Sequence, residues 1–174
     1  YIYVMIWASR LGIYLFRRVQ KDGKDVRFEK AKTHFFWFLQ YWMGQALWVS
    51  LTACAAIIAI LSPEEDTLPV LAMLGMALWI TGFTIESVSD YQKRVFKKEN
   101  NPSESFIHTG LWGRSRHPNY FGEITLWTGI SIIALNTLTG IEYVTLISPV
   151  FVYILLTRMS GINLLERIAD ERYG

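Results

Sequence analysis

Cysteine is almost missing. Cys54 is the only one in 174 residues, and it sits inside an apolar run. One cysteine leaves no disulfide framework and no cysteine-based metal site, so no metal is expected as a partner. Cys54 reads as a small lipid- or core-facing residue. Net charge is nearly missing too. The formal charge of +2 is too small to argue for nucleic acid as a partner. No internal repeat or low-complexity stretch stands out, and residues 1–174 read as one integral membrane domain. No cleavable signal peptide is visible, because position 1 is Tyr and residues 1–16 are already apolar. The other end, at Tyr173 and Gly174, breaks off in a charged helical pattern. The expectation is a chain trimmed at both ends.

Long apolar runs dominate what is present. Hydrophobic residues make up 52% of the chain, and the mean hydropathy is +0.24. Five segments approach the roughly 20 residues that a helix needs to cross about 30 Å of hydrocarbon. They cover residues 1–16 (interrupted by Arg10), 35–61, 68–88, 118–135 and 141–165. The expected fold is an all-α, polytopic membrane helix bundle with about five transmembrane spans. A soluble protein with long buried helices is the alternative, and the uncharged second segment speaks against it.

The connections separate by charge. The first carries Arg17, Arg18, Lys21, Lys24, Arg27, Lys30 and Lys32. The second carries Glu64, Glu65 and Asp66 and no base. The third carries Lys93, Arg94, Lys97, Lys98, Arg114 and Arg116, while the fourth, around residues 136–140, again has no base. Arg167 and Arg172 follow the last segment. This alternation is what the positive-inside rule gives for five consecutive spans. It puts the basic loops and the C-terminus in the cytoplasm. The membrane is the cell inner membrane in a bacterium and the endoplasmic reticulum in a eukaryote. Trp37, Tyr41, Trp112 and Tyr143 stand near segment ends, as an interfacial aromatic belt requires, and packing in the core is the plainer role.

Charges in or beside a span are expensive and point to function by default. The densest group is the run GLWGRSRHPNYFGE over residues 110–123. Pro118 suits the first turn of a helix. That helix start offers free N–H groups and a positive dipole end to an anion, with Arg114, Arg116 and His117 just before it. Arg is well shaped for phosphate. Asn119 and Glu123 are four apart and share a face, and Gly122 permits close approach of a ligand or a helix. The plainer reading is a basic membrane anchor with Glu123 neutralising one of its members. A second group, Glu86, Asp90 and Arg94, steps by four along one stripe, which Lys97 continues less well. It fits a cofactor wall or a ladder of surface ion pairs. Farther on, Asn163, Glu166, Arg167 and Asp170 share a face, lining a cavity or leaving the membrane. Gln40 and Gln45, inside the second segment, fit substrate contact or helix–helix glue. Together these features describe a polar pocket open to the cytoplasm, walled by the third to fifth spans. It would take a large, polar, anionic cofactor from the cytosol and a lipophilic small-molecule substrate from the surrounding membrane lipids.

The 110–123 run, with SDYQKR at 89–94 before it and SGINLLE at 160–166 after it, resembles the steroid 5α-reductase family, in particular its bacterial-type members of unknown function. The resemblance covers most of the chain and is strongest over residues 82–174. It implies a multi-span helical fold, NADPH as cofactor, and reduction of a carbon–carbon double bond conjugated to a ketone in a steroid-like or other lipid. It implies that Asp90 and Asn119 contact the cofactor and that Tyr120 and Glu123 belong to the same wall. Glu86 stands where the reductases carry Asn, and Lys97 where they carry Arg. Their early Glu–Tyr pair for the substrate ketone has no match here; Gln45 is nearest in kind. Isoprenylcysteine-type membrane methyltransferases, which use S-adenosylmethionine, share the Arg116-His117-Pro118 helix start. A non-catalytic relative is the third reading.

Overall fold

The structure is a computed structural model, and it describes residues 1–23, 33–62, 69–99 and 107–159. Five α-helices run through them: α1 (Ile2–Asp22), α2 (Phe35–Leu61), α3 (Pro69–Glu99), α4 (Pro118–Ala134) and α5 (Ile147–Ile154). No strand occurs among the described residues. A 3-10 turn, Gly140–Leu146, leads into α5, and a π-helical turn, Leu155–Met159, continues it. Three rods are long and apolar enough to cross a membrane: Phe35–Leu61, Pro69–Glu99 and Gly140–Met159. The protein is a polytopic helical membrane protein.

Local chemistry sets the helix ends. Gly23, in the left-handed region at φ 74°, closes α1 and donates its N–H to the Val19 carbonyl at 2.9 Å. α1 therefore runs past the expected end at residue 16, through Arg17 and Arg18, because nothing before Gly23 breaks it. α3 likewise runs eleven residues beyond residue 88. No Gly or Pro interrupts that stretch, so the helix leaves the apolar zone as a charged extension. Pro118 occupies the first turn of α4, as expected. Thr139 and Glu142 form a capping box at the start of the last rod, the Thr139 N–H reaching the Glu142 carboxylate at 2.8 Å.

The helices alternate in direction. Tyr3 meets Trp79, and Arg10 meets Glu86 and Asp90, so α1 and α3 are parallel. Gly75 faces Gly129 and Gly82 faces Gly122, so α3 and α4 are antiparallel. These four glycines repeat every seven residues on each helix and bring the two backbones into contact. A Cβ on Gly75 would lie 2.6 Å from the Gly129 carbonyl oxygen, and one on Gly82 would lie 2.5 Å from that of Gly122. Small residues at such a seam are how membrane helices gain dispersion contacts where lipid supplies no hydrophobic drive. α4 is consequently the central helix, with Leu126, Trp127, Ile130, Ser131 and Ala134 all buried.

Among the described residues, the buried positions of α2 lie in its C-terminal half. Ala55 and Ala56 are buried, the Cys54 thiol donates to the Thr145 carbonyl at 3.2 Å, and the Ser148 hydroxyl donates to the Thr52 carbonyl. Its other half displays Phe35, Phe36, Trp37 and Phe38 outward, as a lipid-facing helix does. Trp37, Tyr41 and Tyr143 are exposed near their helix ends. Trp112 departs from the belt: it is half-buried and its indole donates to the Ser89 carbonyl at 3.1 Å, which ties the turn before α4 to α3. Ser148→Ala should cost about 0.5–1 kcal/mol, the usual worth of one interhelical hydrogen bond, measured as a lower unfolding midpoint in detergent.

Candidate functional site

The site begins with Arg10. A guanidinium halfway along an apolar helix has to find counter-charges. Parallel packing brings α3 alongside, and Glu86 and Asp90 lie one helical turn apart on the facing side. Arg10 Nη1 donates to Asp90 Oδ2 at 2.9 Å, and Arg10 Nη2 donates to Glu86 Oε1. The fork of the guanidinium suits two acceptors at this spacing, as a lysine would not. The Arg10 Cζ also lies 5.5 Å from the centroid of the Phe83 ring. Glu86 is 5% exposed, so this is an interior charge group.

α4 completes the group. The Gly82–Gly122 contact seats the first turns of α4 against Glu86: a Cβ on Gly122 would lie 2.6 Å from the Glu86 amide nitrogen. Glu123, the next residue, faces into the same cluster, within electrostatic reach of Glu86, Asp90 and Arg10. Tyr120, a turn earlier, is half-buried, feels Glu123 and Asp90, and stacks on His117 at 5.3 Å. The Asn119 side-chain oxygen is buried and has no donor among the described residues; the same holds for Glu86 Oε2. The structure brings Glu86, Asp90, Tyr120 and Glu123 near one another. Arg10, on α1, supplies a cation to this cluster that the grouping along the sequence did not include.

The walls also differ from expectation. Among the described residues the charged groups come from α1, α3 and α4. α3 and α4 are the expected third and fourth spans, α1 is an addition, and the site residues expected of the fifth lie outside the described residues. α5 contributes Val152 and Leu156 to the apolar core below. That core holds Trp79 and Trp127, with Tyr3, Trp7, Phe83 and Tyr120 packed against it. Trp79 stacks on Phe83 at 4.9 Å, and Trp7 meets Trp127 edge-on at 5.1 Å. The indole N–H groups of Trp7, Trp79 and Trp127 are buried with no acceptor among the described residues.

Basic residues stand at the rim. Arg94 is exposed with its Cζ 5.5 Å from the Tyr91 ring centroid, and Lys97 is exposed farther out. Arg94 leaves the Glu86–Asp90 stripe because two four-residue steps rotate a side chain by about 80° at 3.6 residues per turn. Lys93 sits 4.9 Å from the Trp112 ring centroid and feels Asp90. Arg114 and Arg116 are exposed before α4, while His117 is half-buried as its N-cap residue. No side chain caps that helix start.

Some expected members lie elsewhere. Gln40 is exposed and Gln45 half-buried on α2, and no hydrogen bond or ion pair described for the Arg10 cluster comes from that helix. Asn163 and Glu166, with Arg167 and Asp170, lie outside the described residues. Arg10 itself was legible as an intramembrane charge, yet its partners were not, since sequence does not show which helices are neighbours.

No curated protein and no solved structure matches the chain. One family does, along residues 1–174, and it is described as a protein family of unknown function, DUF1295. The chain belongs to the DUF1295 family.

Proposed function

We propose that the protein is an NADPH-dependent membrane reductase of a conjugated carbon–carbon double bond in a lipophilic ketone, with the basic end of the helices in the cytoplasm. The observation that carries this reading is the Arg10–Glu86–Asp90–Glu123 cluster at the α1–α3–α4 junction. It is acceptor-rich, and two of its neighbouring acceptor atoms, Glu86 Oε2 and Asn119 Oδ1, are buried with no donor among the described residues. A nicotinamide carboxamide and the adjoining ribose bring N–H and O–H donors of the kind such atoms require.

Charge is graded along α3 in the sense that a dinucleotide would need. Glu86 and Asp90 lie deep, whereas Arg94 and Lys97 follow at the rim, Lys97 about 10 Å beyond Asp90 at 1.5 Å per residue. Carboxylates would meet the donor-rich nicotinamide end. Arginine and lysine would meet the phosphates, aided by the uncapped start of α4. When bound, NADPH supplies the hydride. The chain's own residues orient both partners and exclude water. Tyr120 and the core indole N–H groups that have no acceptor among the described residues are the donors at hand for the ketone oxygen, where negative charge would develop. The aromatic faces of Trp79, Phe83, Trp7 and Trp127 suit a rigid, flat, apolar substrate arriving from lipid.

Titration of the purified protein with NADPH, followed by nicotinamide fluorescence, tests the reading. Saturable binding is expected. Asp90→Ala and Asn119→Ala should each raise Kd about tenfold or more, the loss of one hydrogen bond involving a charged or buried group. Lys98→Ala, an exposed change, should leave Kd within about twofold. Equal effects from all three variants would mean that the cofactor binds elsewhere.

A further inference from the structure

The seam between α3 and α4 does not stop where α4 begins. Gly75 faces Gly129 and Gly82 faces Gly122, and the buried stripe of α3 continues through Glu86 to Ser89. The 3-10 turn Gly110–Gly113, before Pro118, carries the same antiparallel register past the helix start. The Leu111 N–H donates to Gln92 Oε1 at 3.1 Å, and the Trp112 indole N–H donates to the Ser89 carbonyl at 3.1 Å. Lys93 lies 4.9 Å from the Trp112 ring centroid. Ser89, Gln92 and Lys93 share one face of α3 at three- and four-residue spacing. Gln92 stands about 15 Å along α3 from Gly82, at 1.5 Å per residue.

The turn is shaped for this grip. Gly110 lies in the left-handed region at φ 63°, and a Cβ there would stand 2.4 Å from Gln92 Nε2. The Arg114 and Ser115 N–H groups both donate to the Leu111 carbonyl, at 3.1 and 3.2 Å. Ser115 Oγ in turn accepts the His117 N–H at 3.2 Å. Hydrogen bonds therefore run from Gln92 through Leu111 and Ser115 to His117, the N-cap residue of α4. Pro118 and Asn119 follow directly. On the α3 side, the grip at Ser89 is one residue from Asp90, whose carboxylate holds Arg10 at 2.9 Å.

We propose that Trp112 and Gln92 are positioning residues: they strap the 110–117 turn to α3 and so fix the first turn of α4, and Asn119 with it, relative to Asp90. The role rests on the reductase reading above, in which Asp90 and Asn119 both contact the cofactor. The glycine seam alone does not secure this end. It grips α4 from Gly122 onward, and the helix start before it has no side-chain cap. With the strap released, Asn119 samples other positions, and only a fraction of molecules presents the complete site. The apparent Kd for the cofactor then rises by the reciprocal of that fraction. Arg114 and Arg116, on the same turn, leave the rim with it.

Hydrogen exchange at the Leu111 amide, in the full chain in lipid nanodiscs without NADPH, reads the strap directly. Slow exchange is expected in the unaltered protein. Gln92→Leu removes the acceptor, and Trp112→Phe removes the indole donor while keeping a ring beside Lys93. Each should speed exchange at Leu111, the second although it leaves the Leu111–Gln92 bond available. Exchange at Leu126, buried in the middle of α4, should stay slow in every variant, which shows that the fold is kept. The double variant should raise the Kd for NADPH about tenfold, as when the competent form falls to about a tenth. The single variants should raise it less, in the order of their Leu111 exchange. Ser148→Ala, at the distant α2–α5 contact, lowers stability without touching the strap and should leave Kd within about twofold. Fast Leu111 exchange in the unaltered protein would overturn the inference. So would an unchanged Kd in variants whose Leu111 exchange is fast, or an equal rise in Ser148→Ala. Slow exchange with no NADPH binding by the unaltered protein would remove the reductase reading, and the positioning role with it. Fast exchange with NADPH binding preserved would remove the strap alone.

Discussion

Gly82→Ala and Gly122→Ala are each expected to destabilise the protein by about 3 kcal/mol or more, the upper range for overpacking. The new methyl group would meet backbone rather than a side chain that can turn away. At position 82 it would lie 2.5 Å from both the Gly122 carbonyl oxygen and the Leu126 amide nitrogen. Helices α3 and α4 would have to separate, which withdraws Glu123 from Glu86 and loosens the packing around Leu126 and Trp127. The same substitution at Gly12 or Gly44 meets nothing within 4 Å. There it should raise stability by up to about 1 kcal/mol, because alanine is the better helix former. Unfolding midpoints in detergent check the contrast in sign. Equal losses at all four positions would mean that the seam is not the tight contact described.

Arg10→Met is expected to cost about 3–5 kcal/mol, the penalty for leaving a buried charge group without its partner. The methionine fills the space beside Phe83 but leaves Glu86 and Asp90 without the fork that joins them. Arg10→Lys should fall between, since one ammonium cannot reproduce two guanidinium bonds of fixed geometry. Removing the acids as well, by Glu86→Gln and Asp90→Asn in the Arg10→Met background, should recover most of the loss. That recovery distinguishes an electrostatic clasp from simple packing. Full stability of Arg10→Met alone would show that α1 does not depend on the cluster.

Much of this arrangement was legible in the residues. Apolar length and alternating loop charge gave the helical membrane fold, and Pro118 marked the start of α4. The four-residue spacing of Glu86 and Asp90, and of Asn119 and Glu123, placed each pair on one face. Two things were not legible. Register between helices decides that Arg10 reaches α3, and periodicity within one helix carries no information about its neighbour. Helix irregularity is the other: the last rod passes from 3-10 through α to π, which packing rather than propensity decides. One signal was present and unread. Gly75 and Gly82, like Gly122 and Gly129, are seven apart, and paired glycines at that spacing mark a close helix seam. The stripe through Arg94 was overextended, since drift over two turns carries that side chain out to the rim.

Isothermal calorimetry of the purified chain against NADPH and, separately, S-adenosylmethionine probes the account at its centre. An acceptor-rich cluster deep in the bundle, with arginine and lysine at its mouth, should give saturable heat with NADPH and none with S-adenosylmethionine. The NADPH signal should weaken sharply in Asp90→Ala. Binding of S-adenosylmethionine in place of NADPH, or of neither, would contradict it.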